Sequence, residues 1–174
     1  MIVYRIGSAE GGQQLERSSS VNLLRRSGRP QAETWVPFDV ELKDREGRRR
    51  LEPVDTPFLS PSFLVVKDAA LPRVAQELAP YVEFLPLRCP QEPMTLLNVL
   101  QVVDALDEDE ADLKRFRDGK VMTVNRHVFR PDAVPRVGLF RIPQALSQMF
   151  CAQETADLLR ERLSGLDVQP VWEG

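Results

Sequence analysis

Apolar and polar positions along this chain alternate between a period of two and a period near 3.6, and the switches between them outline the elements. Residues 1–6 (MIVYRI) are β-branched and aromatic and are closed by Gly7-Ser8, which predicts a first strand. Residues 8–33 are rich in Ser, Gln, Gly and Arg. Only Val21-Asn22-Leu23-Leu24 can reach a core there, so the segment is predicted to be a long mobile loop holding one short helix. Residues 35–42 (WVPFDVEL) alternate, residues 44–50 form a charged turn around Gly47, and residues 51–54 resume the apolar pattern, which predicts a hairpin. Pro53, Pro57 and Pro61 then exclude a central strand across residues 56–62, because proline cannot donate to a ladder.

Two stretches carry a helical stripe. In residues 69–79 the apolar Leu71, Val74, Ala75 and Leu78 fall at i, i+3, i+4 and i+7, with Asp68 placed to cap and Pro72 in or near the first turn. In residues 153–163 the face is Ala156, Leu159 and Leu163, continuing from Ala152, and Gly165 is the stop. Each is flanked by strands: residues 81–87 (YVEFLPL) after the first, residues 149–151 and 168–172 around the second. The order strand, helix, strand is thus shared by residues 63–87 and 150–171, and the two end in FLPL and VQPV, which raises an internal duplication as one reading. The apolar run 94–106 is read as a strand, followed by strands at 121–124, 127–130 and 137–142 with Pro131, Pro135 and Pro143 as punctuation. The fold class that results is α+β: a mainly antiparallel sheet of about six to eight strands with two principal helices, in one domain spanning residues 1–174.

Composition narrows the function. With 174 residues and 43% hydrophobic content, one self-sufficient core is expected. The longest apolar runs, such as Phe63-Leu64-Val65-Val66, are far below the roughly 18 residues of a membrane span, and no secretory pattern opens the sequence, so no membrane association is expected and the cytoplasm is the expected location. Cys89 and Cys151 are far apart and set among apolar segments, as thiols in a reducing compartment are. A net charge of −3 gives no field to hold a polyanion, which makes nucleic acid an unfavoured partner even though arginine outnumbers lysine 19 to 4.

Candidate chemistry is sparse. One histidine and two distant cysteines cannot build a zinc site, and no cofactor is implied. His127 would have to be the base of any serine or cysteine hydrolase, yet there is no G-x-S-x-G elbow, so a satisfied strand residue is the reading for it. Gly11-Gly12 lacks the G-K-S/T ending of a phosphate loop. Arg48-Arg49-Arg50 and Arg25-Arg26 with Arg29 read as solvated turns in the absence of any base-stacking motif. What points outward is an acidic run: Asp104, Asp107, Glu108, Asp109, Glu110 and Asp112. It lacks the glycine and closing glutamate of a calcium loop, and it reads either as a solvated loop or as a patch that meets a basic protein surface.

The order of segments resembles one known family, the immunity proteins of bacterial polymorphic toxin systems, the eleventh of the numbered immunity families. The resemblance rests first on residues 96–107, Leu-Leu-Asn-Val-Leu-Gln-Val-Val-Asp-Ala-Leu-Asp, an apolar stretch with central Asn98 and a closing Asp104-x-x-Asp107. Phe84-Leu85-Pro86-Leu87 before it, Leu139-Phe140-Arg141-Ile142 after it, and the last helix leading through Ser164-Gly165-Leu166 to Gln169-Pro170-Val171 fall in the family's order. It covers about residues 56–172, and the acidic residues after Asp107 depart from the serine expected there. The resemblance implies a binder without catalysis that blocks a cognate protein toxin by covering its active site or a neighbouring surface. Asp107, Glu108, Asp109, Glu110 and Asp112 are the candidate partner-binding residues, and Trp35, Phe38, Tyr81 and Trp172 are candidate anchors, with a core position the favoured reading for each. A regulatory or nucleic-acid-associated adaptor is the alternative, carried by the arginine clusters; an enzyme using Asp104 and Asp107 as a carboxylate pair comes last.

Overall fold

The computed structural model describes residues 1–17 and 27–174. The patch Val21–Leu24, the short helix expected on it, and Arg25-Arg26 lie outside the described residues. In chain order the strands are β1 (Ile2–Ser8), β2 (Gln14–Arg17), β3 (Val40–Lys43), β4 (Arg45–Glu46), β5 (Arg49–Arg50), β6 (Leu64–Lys67), β7 (Val82–Leu87) and β8 (Met94–Val99). They continue as β9 (Gln101–Val102), β10 (Asp112–Arg115), β11 (Val121–Arg126), β12 (Phe140–Arg141), β13 (Met149–Ala152) and β14 (Leu166–Glu173). Two α-helices accompany them, α1 (Ala75–Leu78) and α2 (Gln153–Arg162). The α+β class holds, but the strands divide among several sheets rather than filling one. The two largest have the orders β14-β1-β13-β12-β9 and β6-β8-β7.

The two strand-helix-strand segments form units of one topology. β6 and β7 flank β8 and run antiparallel to it. β13 and β14 flank β1 and run antiparallel to that strand. Each unit therefore has two parallel strands joined through a helix with one antiparallel strand slotted between them, which favours the duplication reading. The final strand of each is a sheet edge, and Pro86 and Pro170 sit on those edges, where a missing N–H leaves no ladder bond unmade.

Alternation along the strands sorts the core into three layers. Tyr4, Ile6, Leu64, Val66, Leu97, Val99, Met149 and Cys151 point to a central layer shared with Val74 and Leu78 near α1 and with Ala156, Leu159 and Leu163 of the α2 segment. The other face of the three-stranded sheet (Val65, Leu85, Leu87, Met94, Leu96) is covered by Leu15, Phe38 and Val40, with Trp35 packed alongside. The other face of the five-stranded sheet (Val3, Phe140, Phe150) is covered by Leu106, Val124, Phe129 and Val134, with Leu113 and Val121 packed against them.

Several expectations need correction. The segment 69–79 is not one helix: a 3-10 turn (Leu71–Arg73) precedes a single α-turn. Asp68, expected as the cap, instead accepts the Thr95 hydroxyl at 2.7 Å, which ties the turn to β8. Val74 and Leu78 still bury on the stripe the sequence shows. The hairpin over 35–54 is replaced by two pairings, β2 with β3 and β4 with β5, so Gln14–Arg17 is a strand inside the segment read as a loop. Residues 127–130 are not a strand; Phe129 makes one isolated bridge to Leu106. Of residues 137–142 only Phe140–Arg141 is extended and paired, because Gly138 takes φ +85 with the Tyr81 ring against its α-carbon.

Asn98, the polar residue in the middle of fully buried β8, is satisfied across the sheet. Its amide donates to Glu83 Oε2 at 2.8 Å and to the Arg29 carbonyl at 3.1 Å. Glu83 also accepts the backbone N–H groups of Gln31 and Ala32. Burial works to raise the Glu83 carboxyl, and these hydrogen bonds outweigh it and hold the group below its ordinary value.

Arg141 is the largest side chain among those almost fully buried, at 1% exposure. One guanidinium nitrogen donates to the Leu146 and Gln148 carbonyls at 2.6 and 3.3 Å, and the other to the Ser62 carbonyl at 2.7 Å. It thereby ties the five-stranded sheet to the segment that enters the three-stranded one. Replacement by methionine strips these carbonyls of a charged donor and is expected to cost about 3 kcal/mol or more, read as a lowered urea midpoint. Lysine is expected not to restore it, since an ammonium cannot span carbonyls from separate segments as the planar fork does. An unchanged midpoint in Arg141→Met would refute this account.

Candidate functional site

The acidic run forms the turn between Leu106 and β10 and leads directly into the β10–β11 hairpin. Its acids are not equivalent. Asp107 organises the turn: its Oδ1 accepts the N–H groups of Asp109 and Glu110 at 3.2 Å each, and its carbonyl accepts Ala111 N–H at 2.9 Å. Glu108 is engaged on both oxygens, by Arg115 Nη2 at 2.6 Å and Gln144 Nε2 at 2.6 Å. Those two donors, Arg115 first, hold its carboxyl below the ordinary value. Asp104 is bridged by Arg130 at 3.4 Å and touched by Gln144 at 3.3 Å, and Arg130 also donates to the Asp104 and Leu106 carbonyls. Arg126 donates to the Glu110 carbonyl at 2.6 Å.

Asp109, Glu110 and Asp112 remain. All three are exposed, and their carboxylates take part in none of the hydrogen bonds or ion pairs formed by the described residues. The structure thus splits the five candidates into two that shape the turn and three whose charge faces solvent. Asp104 and Asp107 are engaged separately: one meets Arg130 and Gln144, and the other caps a turn. Among the described residues no group of three or more His, Cys, Asp or Glu is placed to hold a metal ion.

The proposed anchors belong to the core. Phe38 is buried, and Trp35, Tyr81 and Trp172 are half-buried against the hydrophobic layers. Trp35 also donates its indole N–H to the Pro86 carbonyl at 2.8 Å, and Trp172 packs edge-on to Phe129 at 5.9 Å. Among the described residues the exposed large apolar side chains are Met1, Val36 and a pair on the β10–β11 hairpin that the sequence reading passed over, Phe116 and Met122. Phe116 carries the only available signal, an aromatic flanked by Arg115 and Arg117 beside Asp118-Gly119, a hairpin-turn pair with an apolar residue that has no core to face.

Arg48, Arg49 and Arg50 lie in the exposed β4–β5 hairpin. Arg49 reaches over Gly11, where a β-carbon would come within 2.8 Å of its guanidinium. Together they border an open cleft of about 720 Å³ that Arg5, Glu10, Glu46 and Asp167 also line. Cations and carboxylates mix along it, so it presents no single sign of charge to a ligand.

His127 is a core residue, as its reading as a satisfied ring anticipates, although it follows β11 instead of lying in a strand. The ring stacks parallel to Phe129, meets Phe150 edge-on at 5.3 Å, and lies 3.2 Å from Gln148 Oε1. Burial is the main force lowering its pKa, with Arg5 adding to it and Gln148 opposing. The folded state therefore holds the ring neutral. Its contribution to stability is complete above the ordinary value of 6.5 and is lost as the pH falls toward the lowered one. In His127→Phe the loss of stability on acidification from pH 6.5 is expected to be shallower than in the wild type, measured as melting temperature against pH. Parallel curves would show that the ring is not the titrating group.

Residues 88–172, just under half of the chain, match the family model described as Immunity protein family (Imm11). The resemblance read from the sequence is shown over this segment, which runs from the end of β7 through β14 and contains the whole acidic turn and hairpin. No curated protein matches the chain.

Proposed function

We propose that this chain is an immunity protein that binds a cognate bacterial toxin and neutralises it by covering its active site or a neighbouring surface. The observation that carries the reading is the match of residues 88–172 to the immunity family. The protein contributes affinity rather than turnover, and its partner is a protein. It works in the cytoplasm of the cell that makes the toxin or of its kin. Cys151 suits that setting, since burial pushes its thiol up to about 12 and leaves it unreactive. No described helix is long and apolar enough to cross a membrane.

The acidic turn is the part of the matched segment suited to meet a basic toxin surface. Exposed charges raise the rate of encounter and are screened by salt, so their signature is kinetic. The internal roles of Asp107 and Glu108 dictate the variant: neutralising them would disturb the turn, while Asp109→Asn, Glu110→Gln and Asp112→Asn remove charge the fold does not use. Against a toxin recovered bound to the wild-type protein from its native host, the triple variant is expected to associate about tenfold more slowly at low salt. The difference should close as salt rises, with the melting temperature unchanged. Equal association rates in stopped-flow at low and high salt would remove the acidic turn from the interface. Failure of the wild type to protect a host expressing that toxin would remove the function.

A further inference from the structure

The β10–β11 hairpin is packed on one side only. Leu113, Val121 and Val124 face the aromatic layer below it, while Phe116 and Met122 are 52% and 43% exposed. Among the described residues only Met1 and Val36 are exposed in the same way, so half of this costly surface sits on one hairpin. The strand register explains how. Lys114 pairs with Thr123 and Arg115 with Val121, which leaves Met122 as the extra residue of a β-bulge, a device that re-aims a side chain. Phe116 sits opposite Lys120, its N–H donating to the Lys120 carbonyl at 2.9 Å. Alternation and pairing put Lys114, Phe116, Lys120 and Thr123 on the outward face, and Met122, at the bulge where alternation breaks, stands exposed beside Thr123.

The tip is held firmly. Gly119 N–H donates to the Phe116 carbonyl at 3.0 Å with Gly119 at φ +84, Asp118 accepts Lys120 N–H at 3.1 Å, and Arg115 donates to the Gly119 carbonyl at 3.0 Å. Phe116, at the end of a pre-organised turn, loses little backbone freedom on docking, and Met122, in β11, can adapt its flexible thioether to an irregular hollow. Charge is ordered along the same element. The tip half offers Lys114, Arg117 and Lys120 against one acid, Asp118, which pairs with Lys120 at 3.2 Å, whereas the turn at its base offers the unpaired carboxylates of Asp109, Glu110 and Asp112.

We infer that the outward face of this hairpin is the anchoring face for the toxin, with Phe116 and Met122 entering an apolar hollow whose rim carries carboxylates opposite Lys114 and Lys120. The inference rests on the immunity reading and adds the place and chemistry of contact. The acids at the base govern how fast the partners meet; the apolar pair governs how slowly they part.

The probe is a catalytically silenced form of the toxin recovered bound to the wild-type protein from its native host, purified separately. In Phe116→Ala/Met122→Ala the dissociation rate is expected to rise about tenfold or more, with association changed less than about twofold and the melting temperature unchanged. Lys114→Glu/Lys120→Glu, which leaves the apolar pair in place, is expected to weaken binding in a salt-dependent way. Toxin binding with an unaltered dissociation rate in the alanine variant, or unaltered affinity in the charge-reversed one, overturns this inference and leaves the immunity reading standing. No binding by the wild type overturns both. A concentration-dependent self-association that the alanine variant abolishes would assign the face to contact between copies and overturn the inference as well.

Discussion

A guanidinium taken out of water must recover its lost hydrogen bonds from the protein, and in this fold Arg141 recovers them from carbonyls of separate chain segments. That requirement fixes more than one strand. Ser62 is held where the chain enters β6, and residues 146–148 are held where it enters β13, so both split units are set by one side chain. The 3-10 turn Pro143–Ala145 lies between Arg141 and the carbonyls it binds. Its Gln144 reaches Glu108, and Gln148, whose carbonyl Arg141 holds, meets the His127 ring. The geometry of the acidic turn is thus tied back to the central seam through a handful of hydrogen bonds. Position at the surface is inherited from the core.

The same economy appears at Glu83 and Asn98. A buried amide in the middle of a strand is tolerated because it has a carboxylate on the neighbouring strand and a carbonyl on the covering segment to satisfy it. The carboxylate is in turn satisfied by the amide and by two backbone N–H groups. The result fastens residues 29–32 across the sheet edge at β7, where Pro86 already prevents pairing with another strand.

How much of this was legible in the sequence depends on whether a residue's role is local. The stripe of α2, the strands expected at 81–87 and 168–172 and the continuous apolar run of β8 are statements about neighbours in the chain, and the fold keeps them. Gln14–Arg17 was unreadable as a strand because only Leu15 is apolar, and what makes it extended is a partner 25 or so residues away, β3. The helix expected over 69–79 shrank because Asp68, a good cap by local rules, had a stronger claim from Thr95 on another strand. The aromatic residues read as anchors or core positions pack against the core, and the sequence could not separate the two: a Trp with a buried face looks the same whether the face meets the core or a partner. The five acids were found together, but their division into organising and free carboxylates needed the positions of Arg115, Gln144 and the turn amides.

That division is what gives the surface its meaning. Along residues 107–122 the fold consumes Asp107 as a cap, Glu108 as an ion-pair partner, and Leu113 and Val121 as cover for the aromatic layer. It makes no use of the carboxylates of Asp109, Glu110 and Asp112, and it leaves about half of Phe116 and of Met122 in solvent. Leaving about half of each of two large apolar side chains in water forgoes roughly 1 kcal/mol each relative to burying them, and the β-bulge at Met122 adds nothing to the hairpin's own ladder. A surface whose apolar and charged groups are both surplus to folding, placed on an element that is itself rigid, is suited to binding because none of its parts must be withdrawn from the fold when a partner arrives.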